Sequence, residues 1–297
     1  MWCSTAELVS NAVSQLQNSP MVIVDCEGRS IGTSAGALSL VTVGTHDARS
    51  IFVFDILSLD NIARQPLIDL LADEQKPKLL WDGRMDSIEF RREFGITLGR
   101  AWDLQLVDVN SRKYWGDRSG RQSITQRWHA LHSVRHMDLD GVYSLSGLKN
   151  VLKDHGLFTV QAREHVDHSR WMERPLPADY LRYAKRDIEL IARVYQVFSS
   201  RGYMPEDRQQ LLEEQSKRYH NIHDGPLVRE TIFNSSNILP MDVLNEPSHE
   251  ETLLKQCDKC SRKLSPASFE YASLKNGRKL SHQTCKVCRI AQARVGI

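Results

Sequence analysis

The chain has 297 residues, 41% of them apolar and 26% charged, with a formal net charge of only +2. That composition excludes wholesale disorder and fibrous repeats, and it leaves room for one sizeable domain plus an appendage. No apolar run approaches the ~18 residues of a membrane span. Met1–Glu7 also shows no basic region leading into an apolar stretch, so the expectation is a protein inside the cell, nuclear or cytoplasmic.

Residues 21–25 (Met-Val-Ile-Val-Asp) and 36–44 predict two strands joined by a Gly/Ser-rich turn, and 51–54 (Ile-Phe-Val-Phe) a third. A helix is expected over 61–72, a fourth strand over 78–81, and a helix over 86–94 that Gly95 stops. Ala101–Val107 reads as a fifth strand. The pattern then lapses into a polar, basic segment at 110–144, and helical runs return at 145–155, 178–198 and 207–220. Adjacent strands followed by alternating strands and helices imply a mixed-sheet α/β domain. Residues 221–252 carry Asn-Ser-Ser-Asn, Leu-Pro and Glu-Pro-Ser and read as a linker. The expected division is therefore 1–220, a linker at 221–252 and a separate module at 253–297.

Charge and cysteine single out that last module. Residues 253–297 hold ten Lys/Arg against Asp258 and Glu270, or +8, which leaves 29 basic and 35 acidic groups elsewhere. Four of the six cysteines (Cys257, Cys260, Cys285, Cys288) lie there as two C-x-x-C pairs. Inside a cell such pairs read as metal ligands rather than disulfides. Four thiolates around one Zn²⁺ form a closed tetrahedral site, so a single structural zinc is expected.

The body of the chain has its own acidic pattern. Asp25-Cys26-Glu27 ends a predicted strand, where positions i and i+2 share a face. Asp82 and Asp86 both stand where a strand passes into a helix, and either can serve as a helix cap. Tyr183 and Asp187 lie one turn apart on one helical face. Each piece alone is commonplace.

Together and in this order, the pieces resemble the DEDD superfamily of 3′–5′ exonucleases, in the subgroup with tyrosine in its third motif. Asp25-Cys-Glu-Gly-Arg resembles the first motif, Lys78-Leu-Leu-Trp-Asp-Gly-Arg-Met-Asp86-Ser the second, and Arg174-Pro-Leu-Pro leading to Tyr183-Ala-Lys-Arg-Asp187 the third. The likeness spans about residues 20–200 and is closest to ribonuclease D and Werner-type exonuclease domains. It implies a ribonuclease H-like mixed sheet flanked by helices. It also implies a site of Asp25, Glu27, Asp86, Tyr183 and Asp187, with the residue that follows favouring Asp86 over Asp82. Hydrolysis of a phosphodiester suits two Mg²⁺ or Mn²⁺ ions, which take oxygen ligands. By the resemblance, Asp25 bridges both ions, Glu27 and Asp187 complete the first, and Asp86 reaches the second. Tyr183 orients the attacking water. The rival reading is a non-catalytic nucleic-acid-binding or scaffold protein on the same fold.

Other features point less sharply. Arg118, Arg121 and Arg127, with Trp115 and Trp128 interleaved, suit a single strand of nucleic acid gripped at its 3′ end, or an exposed insertion packed on its own body. His129, His132 and His136 have a metal-compatible helical spacing that also fits plain polar surface. Cys26 is expected in the core, opposite the carboxylates. Asp103 reads as a support for the site or as a solvated strand end. The stretch from Leu264 to Phe269 and the segment Thr284–Arg289 resemble a small zinc-ribbon module found beside nucleases.

Overall fold

A computed structural model describes residues 1–114, 139, 141–157, 166–223, 237–245, 254–272 and 279–295. The chain divides into two units, Met1–Asp108 with Gly147–Val228, and Val109–Ser146 with Arg229–Ile297. The stretch with Arg118, Arg121, Arg127 and the three histidines lies outside the described residues. Among the described residues no helix is long and apolar enough to cross a membrane.

The first unit is built on a six-stranded mixed sheet. Its strands are β1 (Trp2–Cys3), β2 (Val22–Arg29), β3 (Ala37–Thr45), β4 (Ile51–Asp55), β5 (Lys78–Leu80) and β6 (Ala101–Asp103), in the order β1-β4-β3-β2-β5-β6. The β2–β3 and β3–β4 pairs are antiparallel, and the β1–β4, β2–β5 and β5–β6 pairs are parallel. Helices α1 (Ala6–Gln17), α2 (Asn61–Ala72) and α3 (Arg84–Phe94) bury Val9, Leu16, Leu67, Leu71 and Phe90 with Val22, Val24, Val41 and Phe54 on one face. Thr5 and Asp60 cap the first two helices, and Gly95, left-handed at φ 69°, ends the third.

The chain continues through α4 (Leu104–Tyr114), α5 (Leu148–Asp154), α6 (Ala178–Ser200) and α7 (Gln209–His220). Helix α6 lies over β2, β3 and β4, with Tyr180 and Ala184 against Leu40, Val53 and Trp171. Helix α7 packs on α3 and β6. The fifth strand is shorter than expected. It stops at Asp103, whose carboxylate accepts the Gln105 N–H at 2.9 Å and turns the chain into α4. Leu104, Leu106 and Val107 are all buried, and such a run satisfies a helix as well as a strand.

The second unit holds two short antiparallel hairpins, β7 (Lys255–Gln256) with β8 (Lys263–Leu264) and β9 (Glu270–Ala272) with β10 (Lys279–Ser281), followed by α8 (Lys286–Val295). Phe269, Leu264, Val287 and Ile290 are buried where these elements meet. Asp242, inside the stretch expected as linker, accepts hydrogen bonds from the Ser265 N–H (2.6 Å) and from the Ser265 and Ser268 hydroxyls (2.8 and 2.9 Å).

Candidate active site

Strand β2 runs on through Arg29, so Asp25 and Glu27 stand within a strand rather than at its end. Strand β5 pairs with β2 only at Val22 and Ile23. The two acids therefore project just past the carboxyl ends of the parallel strands, where open α/β sheets bind ligands. A bulge falls between Glu27 and Gly28. There the strands approach so closely that a Cβ on Gly28 would stand 2.2 Å from the Ala37 carbonyl oxygen, so only glycine fits.

Asp187 comes to the same place from α6. Carboxylate oxygens of Asp25, Glu27 and Asp187 all lie within 4.8 Å of one another. The start of α6 is fixed by Arg174, whose guanidinium forks onto the buried Asp55 of β4 (Nε to both oxygens at 3.1 Å) and reaches the Ser39 hydroxyl of β3 at 3.1 Å. Tyr183, one turn before Asp187, lies edge-on to His168 and Trp171 at centroid distances of 5.8 and 6.0 Å.

Asp86 sits in the first turn of α3. It is not one of the three clustered acids, yet its charge helps raise both Asp25 and Glu27. Burial is the first cause of those shifts, with Asp187 the next acid for Asp25 and Asp25 the next for Glu27; both carboxyls stand well above the usual range. Asp86 is itself pushed up to about 6, chiefly by burial, with its own backbone N–H and the Cys26 thiol pulling the other way. Cys26 belongs to the core on the opposite face of β2.

Asp82 has a different environment. Arg84 forks onto it at 2.6 and 2.8 Å, and the Tyr219 hydroxyl lies 3.2 Å from it. Burial alone would raise its carboxyl, but Arg84, Tyr219 and His220 hold it below the usual range. Asp103 is fully buried and lies at the centre of the same network, accepting the N–H groups of Asp82 and Gly83 at 3.1 and 2.9 Å. Its strand-to-helix position resembles that of Asp82 in sequence. Its partners Ser216 and His220 carry no local signal beyond an amphipathic helix.

The clustered donors fit hard divalent cations. Three carboxylates converge, each costly to ionise without a counter-charge, and oxygen is the ligand such ions take. Thr42 adds a second observation. It pairs directly with Asp25 across the β2–β3 ladder, is fully buried, and its hydroxyl has no hydrogen-bond partner among the described residues. A buried orphan hydroxyl beside an acidic cluster is what a hydrated ion would satisfy.

The four tail cysteines converge as well. Their sulfurs all lie within 4.8 Å of one another, and none is in a disulfide. Cys257 and Cys260 occupy the turn between β7 and β8, while Cys285 stands just before α8 and Cys288 in its first turn. The Cys285 N–H donates to Cys257 Sγ at 3.3 Å. Hydrogen bonds from Cys285 and Cys288 hold the Cys260 thiol far below the usual range. The set fits tetrahedral Zn²⁺, for which adjacent sulfurs stand about 3.8 Å apart.

Comparison with known proteins agrees with this geometry. A family model described as 3′–5′ exonuclease matches residues 1–202. The Exosome complex component 10 homolog of Drosophila melanogaster is 25% identical over 246 residues, covering 78% of this chain and 23% of that protein. The chain thus spans about a quarter of that relative's length. Trypanosoma brucei RNase D, solved in complex with RNA U12, is 23% identical with a TM-score of 0.57, over 78% of this chain and 73% of that one. Escherichia coli RNase D, described as an exoribonuclease involved in structured RNA processing, is 18% identical with a TM-score of 0.51, over 75% of this chain and 51% of that one. At such identities the two structures establish a shared fold, and the family match over 202 of 297 residues establishes kinship. The chain belongs to the 3′–5′ exonuclease family.

Proposed function

We propose that the chain trims RNA from its 3′ end inside the cell, in the nucleus or cytoplasm, hydrolysing phosphodiester bonds and releasing nucleoside monophosphates. The observation that carries this reading is the convergence of Asp25, Glu27 and Asp187 oxygens within 4.8 Å. Residues 1–220 would form the exonuclease domain, 221–252 a linker and 253–297 the zinc module. RNA is favoured as substrate because the RNase D relatives are described as an exoribonuclease and as a complex with RNA U12.

Asp25, Glu27, Asp86 and Asp187 would hold two Mg²⁺ or Mn²⁺ ions. Such ions supply Lewis acidity for the attacking water and charge neutralisation for the leaving oxygen. Asp25 and Glu27 contribute from one strand, Asp187 from α6, and Asp86 from the first turn of α3. Tyr183 orients the water and helps it lose its proton. The chemistry is directed at phosphate, so trimming is independent of base sequence. Arg118, Arg121 and Arg127 would grip the strand upstream of the cut.

The test is digestion of a 5′-labelled single-stranded RNA with and without Mg²⁺ or Mn²⁺. A ladder shortening one nucleotide at a time, blocked by a 3′-phosphate and by chelation, is the expected result. Internal cleavage, or no metal-dependent shortening of RNA or DNA, would overturn the proposal.

A further inference from the structure

We propose that helix α7, beyond the residues matched by the family model, is a clamp on the catalytic site. Ser216, Tyr219 and His220 would act as positioning residues that hold the turn from Trp81 to Arg84 and so aim Asp86. The inference rests on the reading of Asp86 as a metal ligand.

The clamp closes on Asp103, whose side chain is wholly out of water. One carboxylate oxygen accepts the N–H groups of Asp82 (3.1 Å) and Gln105 (2.9 Å), and the other accepts the Gly83 N–H (2.9 Å) and pairs with His220 Nε2 (2.9 Å). That nitrogen faces a carboxylate, so it carries the proton. The Asp103 N–H donates to the Ser216 hydroxyl at 2.9 Å. The Tyr219 hydroxyl stands 2.6 Å from Gln105 Oε1 and 3.2 Å from Asp82 Oδ1, and the Arg84 guanidinium stacks over its ring at 4.8 Å.

The turn needs holding. Asp82 is left-handed at φ 58°, a conformation that costs a non-glycine residue roughly 1–2 kcal/mol. At Gly83 a Cβ would stand 2.9 Å from His220 Nε2, so glycine lets α7 close down. Ser87 then ties back to the Gly83 carbonyl through its hydroxyl at 2.8 Å, and Asp86 lies between those two anchors. For stability alone, apolar packing would serve as well as a buried ionic network. What a fully satisfied network adds is one fixed orientation. Outer partners of metal ligands are commonly worth 10–100-fold in affinity or activity.

The test uses the full chain, with Mn²⁺ binding followed by calorimetry and amide hydrogen exchange followed over residues 82–87. His220→Leu should weaken Mn²⁺ binding 10–100-fold, speed that exchange, and lower kcat without changing KM for an RNA oligonucleotide. His220→Gln keeps a donor and should recover most of the loss. Tyr219→Phe removes one hydroxyl and should give a smaller loss of the same sign, which decides the matter if His220→Leu fails to fold. Asp86→Asn is the control. If it leaves Mn²⁺ binding unchanged, the ligand reading fails. If it weakens binding while His220→Leu and Tyr219→Phe do not, the ligand reading stands and the clamp is refuted.

Discussion

Gly44 on β3 and Ile188 on α6 set how closely that helix approaches the sheet. A Cβ on Gly44 would stand 2.4 Å from Ile188 Cγ2, well inside van der Waals contact. Ile188 follows Asp187 directly, so the same contact sets the distance from Asp187 to Asp25. Gly44→Ala should push α6 outward, at a cost of about 1–3 kcal/mol of stability from overpacking. Turnover and Mn²⁺ affinity should fall with it, because Asp187 retreats. Adding Ile188→Ala removes the clashing methyl and should restore metal affinity more than stability. If the double variant regains stability but not affinity, the contact does not position Asp187.

The second prediction follows from the raised carboxyls. Asp25 and Glu27 stand well above the usual range in the folded chain, against about 4 when unfolded. A folded pKa above the unfolded one gives stability that is complete below about pH 4 and lost as pH rises through the folded value. The metal-free protein at neutral pH therefore carries a repulsion that one neutral side chain relieves. Asp25→Asn should abolish hydrolysis yet raise the Tm of the metal-free protein at pH 7.5. Mg²⁺ should raise the Tm of the unmodified chain and do little for the variant. Metal binding displaces protons, so affinity for Mn²⁺ should climb as pH rises through the range where these raised carboxyls ionise. A variant that melts below the unmodified chain in chelator, or an affinity flat with pH, would contradict the shared acidic cluster.

These carboxylates were readable because their geometry is local. Asp25 and Glu27 share a face through the two-residue period of a strand, and Tyr183 and Asp187 share one through the turn of a helix. The order of the motifs did the rest. What escaped was long-range. Asp103 reads equally as a support for the site or as a solvated strand end until Ser216 and His220, more than 110 residues away, close over it. The end of β6 is hidden in the sequence because an apolar run such as Leu104–Val107 has no period to read. Strand β1 is two residues long and exists only through pairing with β4, 51 residues on.

Tyr183 supplies a third prediction. Its ring is packed against His168 and Trp171, so Tyr183→Phe preserves the packing and removes only the hydroxyl. If that hydroxyl orients the water, kcat should fall ~10²–10⁴-fold while KM and Mn²⁺ affinity hold. Single-turnover rates with excess enzyme should fall equally. An unchanged kcat with a raised KM would make Tyr183 a substrate contact instead.

The last prediction concerns the cysteine cluster. With sulfurs of Cys257, Cys260, Cys285 and Cys288 within 4.8 Å, four thiolates would close around one Zn²⁺ and leave no open position, so such a metal would be structural. Among the described residues of 254–295 the large apolar side chains that are buried are Leu264, Phe269, Val287 and Ile290, too little to order so short a segment without a metal. Cys257→Ser with Cys260→Ser should therefore lose one zinc per chain and unprotect amides over 254–295, while amides of β2 and α6 stay protected. Zinc on four thiolates carries −2, which lowers the formal +8 of residues 253–297 to about +6. A surface that basic attracts phosphate backbone whatever the base sequence. Deleting residues 253–297 removes that charge, so the truncated chain should keep kcat at saturating RNA and need more RNA to reach half-saturation, with a shallower dependence of affinity on salt. If its RNA affinity and salt slope match those of the intact chain, the module does not hold substrate, and its basic face is left for a protein partner.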